Sequence, residues 1–133
     1  MIEEGRALFL QIAESVEDSI IDGSLPEEGQ APSTNELAAF FRINPATAAK
    51  GVNMLVDKGV LYKRRGIGMF VAPGARELVV AERRTAFADS YVEPLLTEAR
   101  KLGLSPDDLS NLILDRARAG RGEASDATEG TSR

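Results

Sequence analysis

Histidine, cysteine and tryptophan are all absent from this chain of 133 residues. Without imidazole or thiol there is no Ser/His or Cys/His nucleophile, no common transition-metal ligand set and no disulfide framework. An enzyme built from this sequence would rest on carboxylates, lysine or tyrosine alone. The adjacent acids Glu27/Glu28 and Asp107/Asp108 face apart and fall at loops or helix starts, so neither makes an acid/base pair. The reading is therefore no enzyme, no cofactor and no metal. No stretch approaches the roughly 20 apolar residues that span a bilayer. The start Met1-Ile2-Glu3-Glu4-Gly5 is acidic where a secretory leader is basic and then apolar. The expectation is a cytoplasmic chain without a membrane partner. Hydrophobic residues make up 43%, enough for one domain with an appendage.

Positive charge is also in deficit, with 16 Lys+Arg against 21 Asp+Glu. Its distribution matters more than its total. Residues 1–41 carry nine acidic side chains and a single base, Arg6. Residues 42–76 carry seven basic side chains and a single acid, Asp57. Acid prevails again over 77–133, eleven against eight. A local positive face is what a polyanion meets, and this chain has one basic tract in which to build it.

Along the chain, Leu8, Ile12, Val16 and Ile20 recur every four residues, with Phe9 and Ala13 alongside, and predict a helix over 5–22 that Gly23 stops. A turn-rich loop follows through Leu25 to Gln30. Ser33 and Glu36 form a capping-box pattern that opens a short second helix, with Leu37, Ala38 and Phe41 inward. Asn44-Pro45 opens a third, Asn as cap and Pro at the first helical position. On it Ala48, Val52, Leu55 and Val56 form an apolar stripe opposite Ala46, Ala49, Lys50, Asn53 and Asp57. The β-prone runs Val60–Lys63 and Met69–Val71 flank Arg64-Arg65-Gly66-Ile67-Gly68, a glycine-containing hairpin tip. Helix, helix, turn, helix, basic hairpin is the order of a winged helix-turn-helix.

Beyond it, Ala88, Val92, Leu95, Ala99 and Leu102 predict a helix over 75–102 that Pro94 bends or splits near Tyr91 to Glu93. Gly103 ends it, Ser105-Pro106-Asp107-Asp108 caps the next, Leu104 and Leu109 can staple that start, and Leu109, Leu112, Ile113 and Ala117 line its inner face. From Gly120 the composition turns to Gly, Ser, Thr, Asp and Glu, read as a disordered tail. The fold class is mainly α with a small β-hairpin. It divides into a winged helix-turn-helix over 1–74, a helical dimerisation segment over 75–119 and a tail over 120–133.

The third helix is slim enough for a DNA major groove about 12 Å wide. Ala46 and Ala49 permit close approach, Thr47 and Asn53 can bond to bases or phosphates, and Lys50 adds charge. At the hairpin tip Lys63, Arg64 and Arg65 can neutralise phosphates while Gly66 and Gly68 let the backbone come near. The second-helix start, Ser33, Thr34 and Asn35, offers free amides to a phosphate, although capping alone explains Ser33. Asn44 completes the predicted DNA set at the turn. Taken singly, the helix reads equally as an ordinary solvated face and the tip as a solvated turn. Taken together in the basic tract they point to double-stranded DNA. The C-terminal helices carry more apolar stripe than a domain of about 70 residues can cover. Phe87, Tyr91, Val92, Leu95, Ala99, Leu102, Leu109, Leu112 and Ile113 are therefore assigned to a homodimer, which would suit a palindromic operator, the alternative being that these helices fold back on their own winged domain.

Six blocks carry a resemblance: Leu8-Phe9-Leu10-Gln11-Ile12-Ala13, Gly23-Ser24-Leu25, Pro32-Ser33-Thr34-Asn35-Glu36-Leu37-Ala38, Asn44-Pro45-Ala46-Thr47-Ala48, Leu55-Val56-Asp57-Lys58-Gly59-Val60-Leu61 and Arg65-Gly66-Ile67-Gly68-Met69-Phe70-Val71. In this order and spacing, residues 6–72 resemble the DNA-binding domain of the GntR family of bacterial transcription regulators, and the short two-helix C-terminal part resembles its YtrA subfamily. The resemblance implies a homodimer on operator DNA, with helix three in the major groove and the wing tip in the minor groove. It also implies repression of transport-related operons or of the regulator's own. Departures are visible: Asn35, Pro45 and Ala49 stand where relatives often have arginine, and the usual Pro-Gly turn is displaced to Pro26 and Gly29. About 45 residues separate wing from tail, too few to enclose a ligand within one chain, so any effector pocket would lie between subunits or between the two parts. The alternative is a winged-helix protein-interaction module that has given up DNA.

Overall fold

The computed structural model describes residues 7–129, with side chains to 122. The first helix, α1, spans Leu8–Ile21; its predicted first residues 5 and 6 lie outside the described residues. Ile12, Ala13, Val16 and Ile20 are buried from it, the stripe that the four-residue spacing dictates. Next come α2 (Thr34–Phe41) and α3 (Pro45–Asp57). Ser33 Oγ accepts from the Glu36 N–H at 3.0 Å and the Glu36 carboxylate accepts from the Ser33 N–H at 2.8 Å, so both halves of the capping box form. Between α2 and α3 the chain reverses through Arg42, held left-handed at φ 57°.

Leu37 and Ala38 of α2, and Ala48, Val52 and Leu55 of α3, close over the α1 stripe. Each full burial of a Val, Leu or Ile side chain contributes about 1.5–3 kcal/mol. The α1–α3 approach is tight because Gly51 lies at the crossing: a Cβ there would stand 2.7 Å from the Phe9 carbonyl oxygen. The hairpin follows as β1 (Leu61–Arg64) and β2 (Gly68–Val71), antiparallel, with Leu61 opposite Val71 and Arg64 opposite Gly68. β1 lies one residue later than the predicted run, while β2 starts one residue earlier and ends where predicted. The loop before α2 adds a third lane that the sequence did not suggest. The Glu28 N–H donates to the Val71 carbonyl (2.8 Å), the Val71 N–H to Gly29 (2.9 Å) and the Ala31 N–H to Met69 (2.8 Å).

The first compact unit continues past residue 74 to Thr85, because Ala75 and Val79 of α4 (Ala75–Phe87) are buried in the same core. Charges hold α4 in place. Lys58, which caps the end of α3, sits 2.9 Å from Glu17 of α1 and 2.8 Å from Glu82 of α4. Arg83 reaches Asp18 at 2.8 Å and Glu17 at 3.7 Å, and the Arg76 Nε–H donates to the Ile21 carbonyl at 3.1 Å. Burial pushes the Lys58 ammonium down from its usual 10.5, but hydrogen bonds and charge from Glu82 and Glu17 outweigh it and leave the pKa raised.

The second unit begins at Ala86. The split expected near Pro94 takes the form of a single π-helical turn, Ala88–Val92, in which the Glu93 N–H reaches back to the Ala88 carbonyl. Proline has no N–H to offer the preceding turn, and widening the ladder by one residue absorbs that loss. Helix α5 (Glu93–Lys101) ends at Gly103, φ 73°. A second capping box, Ser105 with Asp108 at 3.0 Å in each direction, starts α6 (Pro106–Glu129). That helix runs through Gly120, where the composition suggested a tail. A mid-helix glycine costs about 1 kcal/mol relative to alanine, but with no proline after Pro106 nothing in the segment blocks the ladder. Residues 130–133 lie outside the described residues.

Candidate nucleic-acid interface

On α3 the buried face (Ala48, Gly51, Val52, Leu55) leaves Ala46, Lys50, Asn53 and Asp57 exposed, with Thr47 and Ala49 half-buried beside them. Apart from Thr47, these are the residues of the polar face drawn from sequence. Phe9 and Met54 join Ala46, Ala49, Lys50, Asn53 and Asp57 around one shallow notch. The Lys50 ammonium lies over the Phe9 ring, 4.1 Å from its centroid, a cation–π contact that holds the side chain along α1. Asn44 is occupied locally, its Oδ1 accepting from the Ala46 N–H at 2.7 Å as the cap of α3.

Ser33 is likewise committed to its capping box, while Thr34 is half-buried and Asn35 exposed at the first turn of α2. Exposed Arg42, in the left-handed turn just before α3, adds a cation that the predicted set did not include.

At the wing, the Ile67 N–H donates to the Arg64 carbonyl (2.9 Å), and Gly66 in the turn has φ 78°, a value that glycine adopts without strain. Lys63, Arg64 and Arg65 are exposed, and none forms an ion pair among the described residues. Arg64 stacks 4.7 Å from the Phe70 ring centroid, so its guanidinium is partly oriented in advance. Gly68 opens β2 directly opposite Arg64. Beneath, the Tyr62 hydroxyl donates to the Glu28 carboxylate, and that bond, followed by burial, holds the phenol above its usual 10.0.

One anchoring residue escaped sequence reading. Gln30 Nε2 donates to the Ile67 carbonyl at 3.0 Å, tying the wing tip to the loop before α2. Nothing in Glu28-Gly29-Gln30-Ala31 announces this, because the partner lies 37 positions away. Phe9 escaped for a different reason: its spacing from Ile12 fits the core stripe, and nothing local distinguishes a core ring from one facing Lys50.

In the second unit Phe87, Tyr91, Leu95, Leu102, Leu112 and Ile113 are exposed, between 40% and 67%, and Leu114 is exposed beside them. Phe87 and Tyr91 pair, ring centroids 5.5 Å apart. Val92 is half-buried. Ala99 and Leu109 are only 5% and 6% exposed, so these two of the residues assigned to a partner have little surface left for one. Among the described residues no helix is long and apolar enough to cross a membrane.

Residues 8–71 match the family model described as bacterial regulatory proteins, gntR family. A protein of Bacteroides thetaiotaomicron, described as a transcriptional regulator of the GntR family, superposes with TM-score 0.73 at 32% identity, over 86% of this chain and 99% of that one. The transcriptional repressor YtrA of Bacillus subtilis is 24% identical over 106 residues, 80% of this chain and 81% of YtrA. The N-terminal domain of AraR, crystallised with a mutant ORR3, aligns at TM-score 0.50 and 31% identity over 53% of this chain and the whole of that one. With its capped helix-turn-helix, cationic wing and these likenesses together, the chain belongs to the GntR family and is a transcription regulator with a winged-helix DNA-binding domain.

Proposed function

We propose that this regulator is a homodimeric repressor that grips a palindromic operator and blocks the promoter it overlaps, of a transport-related operon or of its own. One observation carries the reading: Lys63, Arg64 and Arg65 stand exposed on the wing, free of ion pairs among the described residues, shortly after a helix with small and polar residues outward. In an otherwise acidic chain such a face gives a polyanion one place to dock. In the proposed complex α3 lies in the major groove, with Ala46, Thr47, Lys50 and Asn53 toward base edges and Asn44 at its leading end. Lys63, Arg64 and Arg65 neutralise phosphates around the minor groove that the Gly66–Gly68 tip enters, while Ser33, Thr34 and Asn35 steady a phosphate at the start of α2.

The apolar side chains Phe87, Tyr91, Val92, Leu95, Leu102, Leu112 and Ile113 mate with a second copy, with Ala99 and Leu109 supporting them from below. A twofold pair reads two half-sites. YtrA, alike over most of its length and itself a repressor, supports this direction of control. An effector, if the regulator answers to one, would bind between subunits.

Footprinting of the region upstream of the chain's own gene tests the proposal. A protected palindrome, with stoichiometry of two chains per duplex, is the expected result. Failure to protect or shift any fragment at low salt would favour the protein-interaction module instead.

A further inference from the structure

The notch on α3 has a composition that a phosphate site would not have. Phe9, Ala46, Ala49 and Met54 give it an apolar lining, and Lys50 and Asp57 contribute one charge of each sign. The two charges offset, so the notch holds no net positive charge for a phosphate, and the hydrocarbon offers it nothing. The Asn53 side chain, also in the lining, makes no hydrogen bond among the described residues, so its amide is available. In the major groove a thymine offers a 5-methyl group and its paired adenine offers N7 and the N6 amino group. Apolar side chains accept the methyl, and an asparagine amide matches the adenine edge with two hydrogen bonds. No other base pair presents that combination, since a G·C pair lacks the methyl.

We infer that this notch reads an A·T base pair, taking the thymine 5-methyl against Phe9, Ala49 and Met54 and the adenine edge at Asn53. The inference rests on the DNA-binding reading above and adds to it a residue from outside the helix-turn-helix. Phe9 belongs to α1, and its ring both floors the notch and carries the Lys50 ammonium at 4.1 Å. It is a positioning and specificity residue in one: it lines the methyl site and sets where the neighbouring cation stands.

The test uses the full chain and duplexes it retains from a randomised pool. Each thymine of a retained duplex is replaced in turn by uracil, which removes only the methyl. Burial of one methyl-sized group predicts about a fourfold loss of affinity at one or more thymines. In Phe9→Ala and in Ala49→Ser, which places a hydroxyl in the notch, thymine and uracil duplexes should bind alike. Circular dichroism confirms that each variant is folded, and Ala49→Ser decides alone if Phe9→Ala is not. Uniform indifference of the wild-type chain to uracil would overturn the inference, as would a thymine preference unchanged in the folded variants. Retention of no duplex at all would instead overturn the DNA-binding reading and this inference with it.

Discussion

A methyl group at position 51 has nowhere to go. Replacing a mid-helix glycine by alanine ordinarily stabilises by about 1 kcal/mol, but here the new Cβ would stand 2.7 Å from the Phe9 carbonyl oxygen and 3.1 Å from Ile12. Forcing α1 and α3 apart costs about 1–3 kcal/mol in a packed core, so Gly51→Ala should lower the melting temperature; a rise would refute the close-approach argument. Ser33→Ala should cost about 1 kcal/mol of stability by unmaking the capping box, which thermal or urea unfolding reads directly. At the wing, Arg65→Ala should weaken binding to all duplexes and flatten the salt dependence of log affinity by about one unit. Thr47 or Lys50 substitutions should instead change which duplexes are preferred. An unchanged salt slope in Arg65→Ala would remove that side chain from phosphate contact.

Between elements, α4 is held to α1 and α3 by the Glu17–Lys58–Glu82 and Asp18–Arg83 contacts. Glu17 is 6% exposed, so Lys58→Met would leave a nearly buried carboxylate with only the longer Arg83 contact, at a cost of about 1–3 kcal/mol. The Lys58 pKa is raised on folding, so its contribution is complete below the unfolded value of 10.5 and is lost as pH rises through the higher folded value. Melting temperatures of wild type and Lys58→Met should thus differ near pH 8 and converge only in strong alkali. The start of α6 has the opposite sign. Ser105's backbone and hydroxyl bonds hold Asp108 below 3.8, so the cap is intact above that pH and opens as acid titrates it. What the sequence made legible at this scale was local: Ser33 with Glu36, Asn44 before Pro45, Ser105 with Asp108, and the four-residue rhythm of α1 each act within one turn. What it hid was distant. The Glu28–Ala31 lane on β2 reads as turn-formers, Lys58 meets Glu17 across 41 positions, and α6 passes two glycines whose cost leaves no local trace of being overruled.

At the scale of the molecule, the surplus of acid outside residues 42–76 limits attraction to DNA to one tract, which disfavours indiscriminate binding along the duplex. The exposed apolar residues of the second unit bear on the proposed dimer. Leu102→Asp or Ile113→Asp should convert a dimer to monomer in sedimentation and weaken binding to a two-half-site duplex far more than to a single half-site. An equal loss on both would separate these residues from dimer formation. Finally, the wing's bond from Gln30 to the Ile67 carbonyl bears on timing. If the wing docks in the minor groove as proposed, a hairpin already braced beforehand loses little freedom on docking, so the brace should lengthen residence rather than hasten encounter. In the proposed complex, a regulator with Gln30→Ala would find its operator as quickly and let go sooner, so the promoter would stand open more often, each time for an interval of unchanged length.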